Sequence, residues 1–167
     1  MNNYDCIYRS GDKLLSSLDL AHNDIPTPKT FVGFTPESAE EAIKEKMTYP
    51  IISKPVIGSW GRMVARLNDI DAVRAAFEIR ENLGDAFQKI YYCQEYLDAT
   101  KVRKDAPTDI RVFYIGGKVV AAMGRYHAQD EFRSNIAIGG TAKPYPVSNE
   151  LEKLTLKIGR ASCRERV

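Results

Sequence analysis

The dipeptide Gly116-Gly117 separates two strand-like runs, residues 110–115 and 118–126. Glycine reaches positive φ without a steric penalty, and a tight two-residue turn between antiparallel strands needs that conformation. The pattern therefore predicts a β-hairpin, and with it an antiparallel sheet.

The residues around this hairpin predict helices and strands in irregular alternation. Helices are expected over residues 12–22, 36–47, 69–83 and after residue 148. Thr35 and either Asn68 or Asp69 are expected to cap the second and third helices, with Gly84 at the C-terminal position that glycine prefers. Strands are expected at residues 29–33, 51–56, 63–67, 90–97 and 132–136.

This order does not match regularly alternating βαβ units. It predicts an α+β fold of two small lobes, each with a mostly antiparallel sheet. The first lobe is placed at about residues 26–92 and a partial second lobe at about 93–158. A cleft between the lobes is the expected place for a small ligand.

Composition narrows the class of partner. The chain has 24 Lys and Arg residues against 22 Asp and Glu residues, a formal net charge of +2. This balance gives no reason to expect a nucleic acid or a membrane surface as a partner. The cysteines form no metal-binding motif, and isolated cysteines fit a reducing cytoplasm, which is the expected location.

Residues 159–167, GRASCRERV, break the apolar spacing of the last predicted helix. They resemble read-through into a cloning adaptor, and we interpret them as a non-native tail. The alternative interpretation is a frayed basic C-terminus.

Lys54 lies in an otherwise apolar strand, before a loop that contains Gly58, Ser59 and Gly61. A buried ammonium is costly unless an anion accompanies it. The N–H groups of a glycine-containing loop can approach phosphate oxygens closely. This segment is a candidate polyphosphate site, with a surface lysine beside an ordinary hairpin as an equal alternative. The loop matches neither a Walker A motif nor GxGxxG.

Three further segments carry polar side chains that suit a nucleotide. Residues 94–96, QEY, end a strand and offer backbone groups and a carboxylate to a purine. Asp109 and Arg111 share a strand face and suit ribose hydroxyls and an anion, or form an exposed pair worth at most about 1 kcal/mol. Arg125 and residues 133–135, RSN, offer donors to an anion, and an ordinary surface turn is the alternative.

Together these segments resemble, in order and spacing, the ATP-grasp superfamily. The resemblance covers residues 1–157 and is closest to the LysX-type carrier-protein ligases of lysine and arginine biosynthesis, which are related to the ribosomal protein S6 glutamate ligases. The motifs are GDK at 11–13, IPTP at 25–28, KPVIGSWGR at 54–62, QEY at 94–96, DIR at 109–111 and SNIAIGG at 134–140. The string KPVIGSWGR is specific to the carrier-ligase branch.

The resemblance implies a role for each matching residue. Lys13 and Lys54 would contact the phosphates of ATP, under a closing loop that consists of Gly58, Ser59, Trp60, Gly61, Arg62, Met63 and Val64. The hinge residues Gln94, Glu95 and Tyr96 would meet adenine. Asp109, in one segment with Arg111, would meet the ribose. Arg125 and Asn135 would be catalytic, addressing the phosphates and an acyl phosphate, with Arg133 and Ser134 beside Asn135. Residues 135–140 would help to select the amino acid.

The implied enzyme is a carboxylate–amine ligase that uses ATP and Mg²⁺. The terminal glutamate of a small acidic amino-group carrier protein would form an acyl phosphate, which the amine of α-aminoadipate or glutamate would attack. The alternatives are a glutamate ligase for a ribosomal or other protein tail, and a non-catalytic nucleotide-binding fragment.

The family has a further domain before the position of Met1, and its magnesium ligands lie beyond the position of Lys157. This chain is therefore expected to have little or no ligase activity by itself. The family often forms dimers or tetramers, so a homo-oligomer stays open.

Overall fold

The computed structural model describes residues 4–101 and 103–163. Within these ranges the helices are α1 (Tyr4–Gly11), α2 (Lys13–His22), α3 (Pro36–Lys46), α4 (Ile70–Leu83) and α5 (Asn149–Cys163). The strands are β1 (Thr30–Gly33), β2 (Ile51–Lys54), β3 (Ala65–Leu67), β4 (Tyr91–Glu95), β5 (Asp109–Ile115), β6 (Lys118–Tyr126) and β7 (Thr141–Pro144). Short 3₁₀ turns lie at Ala99–Lys101 and Ile136–Ile138.

The strands form two antiparallel sheets. The first has the order β1-β4-β2-β3 and the second the order β5-β6-β7. This confirms the α+β prediction. Because β4 pairs with both β1 and β2, the expected lobe boundary at residue 92 falls inside a strand of the first sheet.

One face of the first sheet packs against α3 and α4. The core cluster consists of Ala39, Ile43, Ile51, Leu67, Val73, Phe77, Tyr91 and Cys93. A Cβ on Gly33 would lie 2.6 Å from the Cβ of Ala39, so glycine at this position lets α3 approach β1. Side chains alternate between the two faces of a strand, so Lys54, Tyr92 and Gln94 belong to the opposite face.

The predicted helix caps are present. The Thr35 hydroxyl accepts a hydrogen bond from the N–H of Ser38 at 3.2 Å, and Asp69 accepts one from Ala72 at 2.8 Å. Gly84 ends α4 as expected, but with φ of −84° rather than in the left-handed region. Glycine fits here because an added Cβ would lie 2.4 Å from the carbonyl oxygen of Arg80.

The second sheet confirms the hairpin and corrects one strand. Gly116 and Gly117 have φ values of 57° and 80°, as the turn between β5 and β6 requires. The strand expected at residues 132–136 is wrong, and the third strand is β7. The carboxylate of Glu131 accepts the N–H groups of Phe132 and Arg133 at 2.9 and 3.1 Å, which satisfies the backbone locally instead of in a ladder.

The last helix is longer than expected. α5 contacts α1, α2, β5 and β6, and it continues to Cys163, so the predicted break at residue 159 is wrong. Gly159 lies against the ring of Tyr114, where an added Cβ would be 3.2 Å from the ring, and Ala161 is buried. The non-native origin of residues 159–167 stays a prediction, and residues 164–167 lie outside the described ranges. Among the described helices, none is long and apolar enough to cross a membrane.

The core assignment can be tested with Phe77→Ala. The Phe77 side chain is 2% exposed and packs against Tyr91 with ring centroids 4.4 Å apart. We expect the free energy of unfolding to fall by about 3–5 kcal/mol, since the substitution leaves a cavity. Leu83→Ala is the matched control on the same helix, because that side chain is 83% exposed. Its cost should be about 0.5 kcal/mol or less by urea denaturation, and equal losses would contradict this packing.

Candidate functional site

A cavity of about 520 Å³ is lined by residues from both sheets, from the start of α2 and from loops next to the strands. It brings together these predicted site residues: Lys13, Lys54, Gly61, Val64, Gln94, Glu95, Tyr96, Asp109, Arg125, Arg133, Ser134 and Asn135. The cavity therefore joins all four segments that were singled out from the sequence.

Other predicted site residues are not in the lining: Gly58, Ser59, Trp60, Arg62, Met63 and Arg111. The Trp60 side chain is 66% exposed, and the guanidinium of Arg62 lies 5.9 Å from the centre of its ring. Arg111 is exposed on β5, where it pairs with Met123. It lies on the same strand face as Asp109, two residues farther along β5.

The sequence reasoning missed five lining residues: Pro28, Ile52, Leu97, Thr108 and Phe132. Strand alternation could have found Ile52, which lies two residues from Lys54 and so on the same face of β2. No comparable signal marks Phe132, whose position depends on the loop around Glu131.

Lys54 belongs to a hydrogen-bond chain on the cavity face of the first sheet. Its ammonium donates to Oε1 of Gln94 at 2.6 Å. The amide nitrogen of Gln94 donates to the hydroxyls of Thr30 and Tyr92 at 2.9 and 2.7 Å. The Tyr92 hydroxyl lies 2.7 Å from Oγ of Ser17 in α2. These bonds fix the direction of the ammonium but supply no negative charge.

Lys13 brings a second ammonium to the same part of the cavity. Asp12 caps α2 by accepting hydrogen bonds from Leu14 and Leu15, and the N–H of Lys13 donates to the carbonyl of Val56 at 2.9 Å. The ammonium of Lys13 donates to the carbonyl of Gly58 at 3.1 Å. The start of α2 is thereby attached to the start of the glycine loop, which we define as residues 58–64.

The positive charges of the two ammonium groups are disfavoured by their surroundings. Burial lowers the pKa of Lys54, and the nearby charge of Lys13 lowers it further. Burial also lowers the pKa of Lys13, although Asp12 opposes this effect. Among the described residues, neither group forms an ion pair with a carboxylate. An anion bound here would remove the electrostatic cost of both.

The hinge between the sheets is held by Glu95. Its carboxylate accepts the N–H of Lys29 at 2.7 Å, and its own N–H donates to the carbonyl of Lys29 at 2.9 Å. Tyr96 follows, and its ring lies 5.6 Å from the guanidinium of Arg66 and edge-on to Phe132. Glu95 therefore fixes the hinge backbone, and Tyr96 and Phe132 provide aromatic walls.

Asp109 and Arg125 form a bidentate ion pair across β5 and β6. Nε of Arg125 donates to Oδ1 at 2.7 Å and Nη2 donates to Oδ2 at 2.9 Å. These residues are register partners, so the sheet itself places them opposite each other. The hydroxyl of Ser134 also donates to Oδ2 of Asp109. The pair is a rigid part of the lining with its carboxylate already engaged.

The glycine loop touches the second lobe at Gly61. Nη1 of Arg133 donates to the carbonyl of Gly61 at 2.9 Å, and Glu131 holds the same guanidinium in a bidentate pair. The pKa of Glu131 falls to about 2, mainly through this hydrogen bonding with Arg133. A Cβ on Gly61 would lie 2.6 Å from Oδ1 of Asn135, and its φ is 71°. Glycine adopts this φ without a steric penalty, and a side chain here would also require the amide of Asn135 to move.

The arrangement has a positive end beneath a glycine loop and an apolar and aromatic end beside a hinge. This combination suits a ligand with an anionic group and a flat apolar group. The described residues contain no group of three or more His, Cys, Asp or Glu side chains placed to hold a metal ion. The expectation that magnesium ligands lie beyond the position of Lys157 stays a prediction.

Comparison with known families identifies this arrangement. The model of the RimK-like ATP-grasp domain matches residues 10–165. The chain belongs to the RimK-like ATP-grasp family. The family resemblance inferred from the sequence motifs is thereby confirmed.

Curated relatives of this RimK-like ATP-grasp chain are named as ligases. It is 35% identical over 158 residues to the alpha-aminoadipate–LysW ligase LysX of Saccharolobus solfataricus, covering 95% of this chain and 54% of that protein. It is 33% identical over 157 residues to the glutamate–LysW ligase ArgX of Sulfolobus acidocaldarius, covering 94% and 53%. The chain spans about half the length of the curated relatives it matches.

Solved structures show the same fold. The RimK-domain ATP-grasp protein of Sphaerobacter thermophilus aligns with a TM-score of 0.72 at 25% identity, over 94% of this chain and 52% of that one. The D-alanine–D-alanine ligase of Bacillus anthracis, solved with ATP, aligns with a TM-score of 0.72 at 17% identity, over 97% and 50%. The second likeness concerns the fold alone.

The strained state of Lys54 predicts a pH dependence of stability. Its pKa is lowered from 10.5 in the folded chain, so between the folded value and 10.5 the unfolded chain binds more protons. The free energy of unfolding therefore rises with pH in that window, and the full cost is present below it. Relative to Lys54→Met, the native protein should gain stability as the pH rises from the lowered folded-state pKa of Lys54 towards 10.5. Urea denaturation of both proteins measures this gain.

Lys46→Met is the control for the general loss of one positive charge, because Lys46 is exposed at the end of α3. The same pH slope for both variants would contradict the buried ammonium at Lys54.

Proposed function

We propose that this RimK-like ATP-grasp chain binds ATP in the 520 Å³ cavity, with the phosphates at the Lys13 and Lys54 end. The observation that carries the proposal is the pair of partly buried ammonium groups without a carboxylate partner among the described residues. Their repulsion disfavours the two charges together, and a polyphosphate would convert it into attraction.

The remaining parts of the cavity suit the rest of the nucleotide. The hinge at Gln94, Glu95 and Tyr96 offers backbone groups and an aromatic wall to adenine, with Leu97 and Phe132 as apolar neighbours. Since the carboxylate of Glu95 accepts the N–H of Lys29, we assign its contribution to hinge geometry and to backbone groups rather than to a side-chain contact with adenine.

Arg125 and Asn135 are the proposed catalytic residues. Both line the cavity, and the ion pair with Asp109 holds the guanidinium of Arg125 in place. A fixed cation near a transferring phosphoryl group stabilises the charge that develops on it without reorganisation. Asp109 is proposed to meet the ribose through the part of its carboxylate that Arg125 and Ser134 leave accessible, and Asn135 to contact the phosphates beside Gly61.

We further propose the reaction of the longer protein. A carboxylate at the end of a carrier protein attacks the γ-phosphorus of ATP and releases ADP, and the amine of α-aminoadipate or glutamate then displaces phosphate to form an amide. The names of the relatives from Saccharolobus solfataricus and Sulfolobus acidocaldarius support LysW as the carrier and these two amino acids as substrates. The loop at residues 135–140 is the proposed selector of the amino acid.

The nucleotide proposal predicts that Lys54→Ala weakens ATP binding to this chain. Loss of a charge-assisted contact in a partly buried site should reduce the affinity about 10-fold to 100-fold. Isothermal titration calorimetry with ATP and with AMP measures the effect. The loss should be larger for ATP, because Lys54 is assigned to the phosphates.

Lys46→Ala is the matched control, since it removes an exposed lysine from α3 and leaves the cavity intact. Unchanged ATP affinity in Lys54→Ala would show that the phosphate role is wrong.

The ligase proposal predicts amide formation on a carrier. This chain would be joined to the flanking segments of the Saccharolobus solfataricus relative and incubated with ATP, Mg²⁺, LysW and either amino acid. The intact mass of LysW should increase by one amino-acid residue, and the relative itself is the positive control. A mass increase with one amino acid identifies the substrate. ATP binding without any increase would point to a different protein tail as the acceptor.

A further inference from the structure

Arg80 occupies a core position in α4. It follows Val73 and Phe77 at helical spacing, and all three are buried. The Arg80 side chain is 4% exposed, so its guanidinium is withdrawn from water beneath the first sheet. Arginine at such a position is costly unless its donors are used.

The hydrogen bonds of this guanidinium are few. Nη2 of Arg80 donates to the carbonyl of Met63 at 3.3 Å. Nη1 is buried and, within the part of the chain that the structure describes, has no hydrogen-bond partner. Burial lowers the pKa of Arg80, and no described carboxylate forms an ion pair with it. Within the described residues, the hydrogen bond to the carbonyl of Met63 is therefore the one polar contact of this guanidinium.

Met63 is the point at which the glycine loop returns to the first sheet. Its φ is 57°, in the left-handed region that residues with a side chain rarely adopt. β3 begins two residues later at Ala65. The buried guanidinium of Arg80 donates to the carbonyl of Met63 and so holds it in this orientation.

Two other cations hold the glycine loop at different carbonyls. Lys13 donates to Gly58 and Arg133 donates to Gly61. Both of these side chains line the cavity and are within reach of a ligand, whereas Arg80 is not in the lining. A bound anion can therefore draw Lys13 and Arg133 away from the loop, but it cannot reach Arg80.

We propose that Arg80 is a positioning residue that fixes the C-terminal end of the glycine loop at Met63, while residues 58–62 move around that fixed point. The effect of Arg80 on ATP binding rests on the proposed function, because that function assigns the glycine loop to cover the phosphates. The claim that Arg80 fixes the loop at Met63 concerns the loop alone and is testable without nucleotide.

The test is hydrogen exchange by mass spectrometry on this chain, with Arg80→Met compared with Arg74→Met. Methionine keeps an apolar stem of similar reach and removes the donors. Arg74 lies on the same helix, is exposed and pairs with Glu40, so it is the matched control. Peptides that span residues 58–64 should exchange about 5-fold to 10-fold faster in Arg80→Met, and at the native rate in Arg74→Met.

The exchange of β2 and β4 separates a positioning role from a merely structural one. Equal acceleration in the loop and in these strands would overturn the proposal, as would a native loop rate in Arg80→Met. If Arg80→Met fails to fold, Arg80→Lys decides, because lysine retains the charge and has fewer, differently placed donors. Faster loop exchange with native β2 and β4 then supports the proposal, and native loop exchange overturns it.

Hydrogen exchange with added nucleotide distinguishes failure of the Arg80 proposal from failure of the proposed ATP site. ATP should slow exchange at residues 58–64 in the native chain, and should do so less in Arg80→Met, while AMP has little effect on either. If ATP gives no protection to the native chain, the proposed site is wrong, and the comparison without nucleotide still judges Arg80. Equal ATP protection in both proteins would show that the fixed end at Met63 does not serve the site.

Discussion

The hydrogen bond from the ammonium of Lys54 to Oε1 of Gln94 joins β2 and β4 on the cavity face of the first sheet. Its position depends on register. Ser53 and Cys93 face the helices, so Lys54 and Gln94 must face the cavity. A slip of one residue would bury the ammonium among Ile43 and Phe77 and bring the core residues into the cavity. The same register therefore specifies both the hydrophobic core and the site.

The site has a cost in stability that the core must offset. Lys13 and Lys54 are held near each other by α2 and β2, although burial disfavours both charges. The surrounding hydrogen bonds to Gln94 and to loop carbonyls are neutral, so they orient the ammonium groups without cancelling their charge. In the proposed function, the two ammonium groups are in place before the polyphosphate binds, which would reduce the reorganisation that binding requires.

The sequence predicted what depends on local rules and missed what depends on tertiary contacts. The Gly116-Gly117 hairpin, the Thr35 cap and the lysine before the glycine loop each follow from residue type and spacing. The strand expected at residues 132–136 failed because Glu131 captures the neighbouring N–H groups, and strand propensity does not register that competition. The sequence also could not show that Arg111 lies outside the cavity lining. Strand alternation predicts which face a side chain is on, but not how far the cavity extends along that face. The short helix α1 was not predicted at all.

Three cations from different elements converge on the glycine loop. Lys13 comes from α2, Arg80 from α4 and Arg133 from the second lobe, and they donate to the carbonyls of Gly58, Met63 and Gly61. Carbonyl oxygens attract these donors for the same reason that phosphate oxygens do, but more weakly, since they carry only partial charge. The loop thus shares the donors Lys13 and Arg133 with the proposed phosphates. Burial of Arg80 removes the third donor from that competition, so ligand exchange can reorganise one end of the loop while the other stays attached to the core.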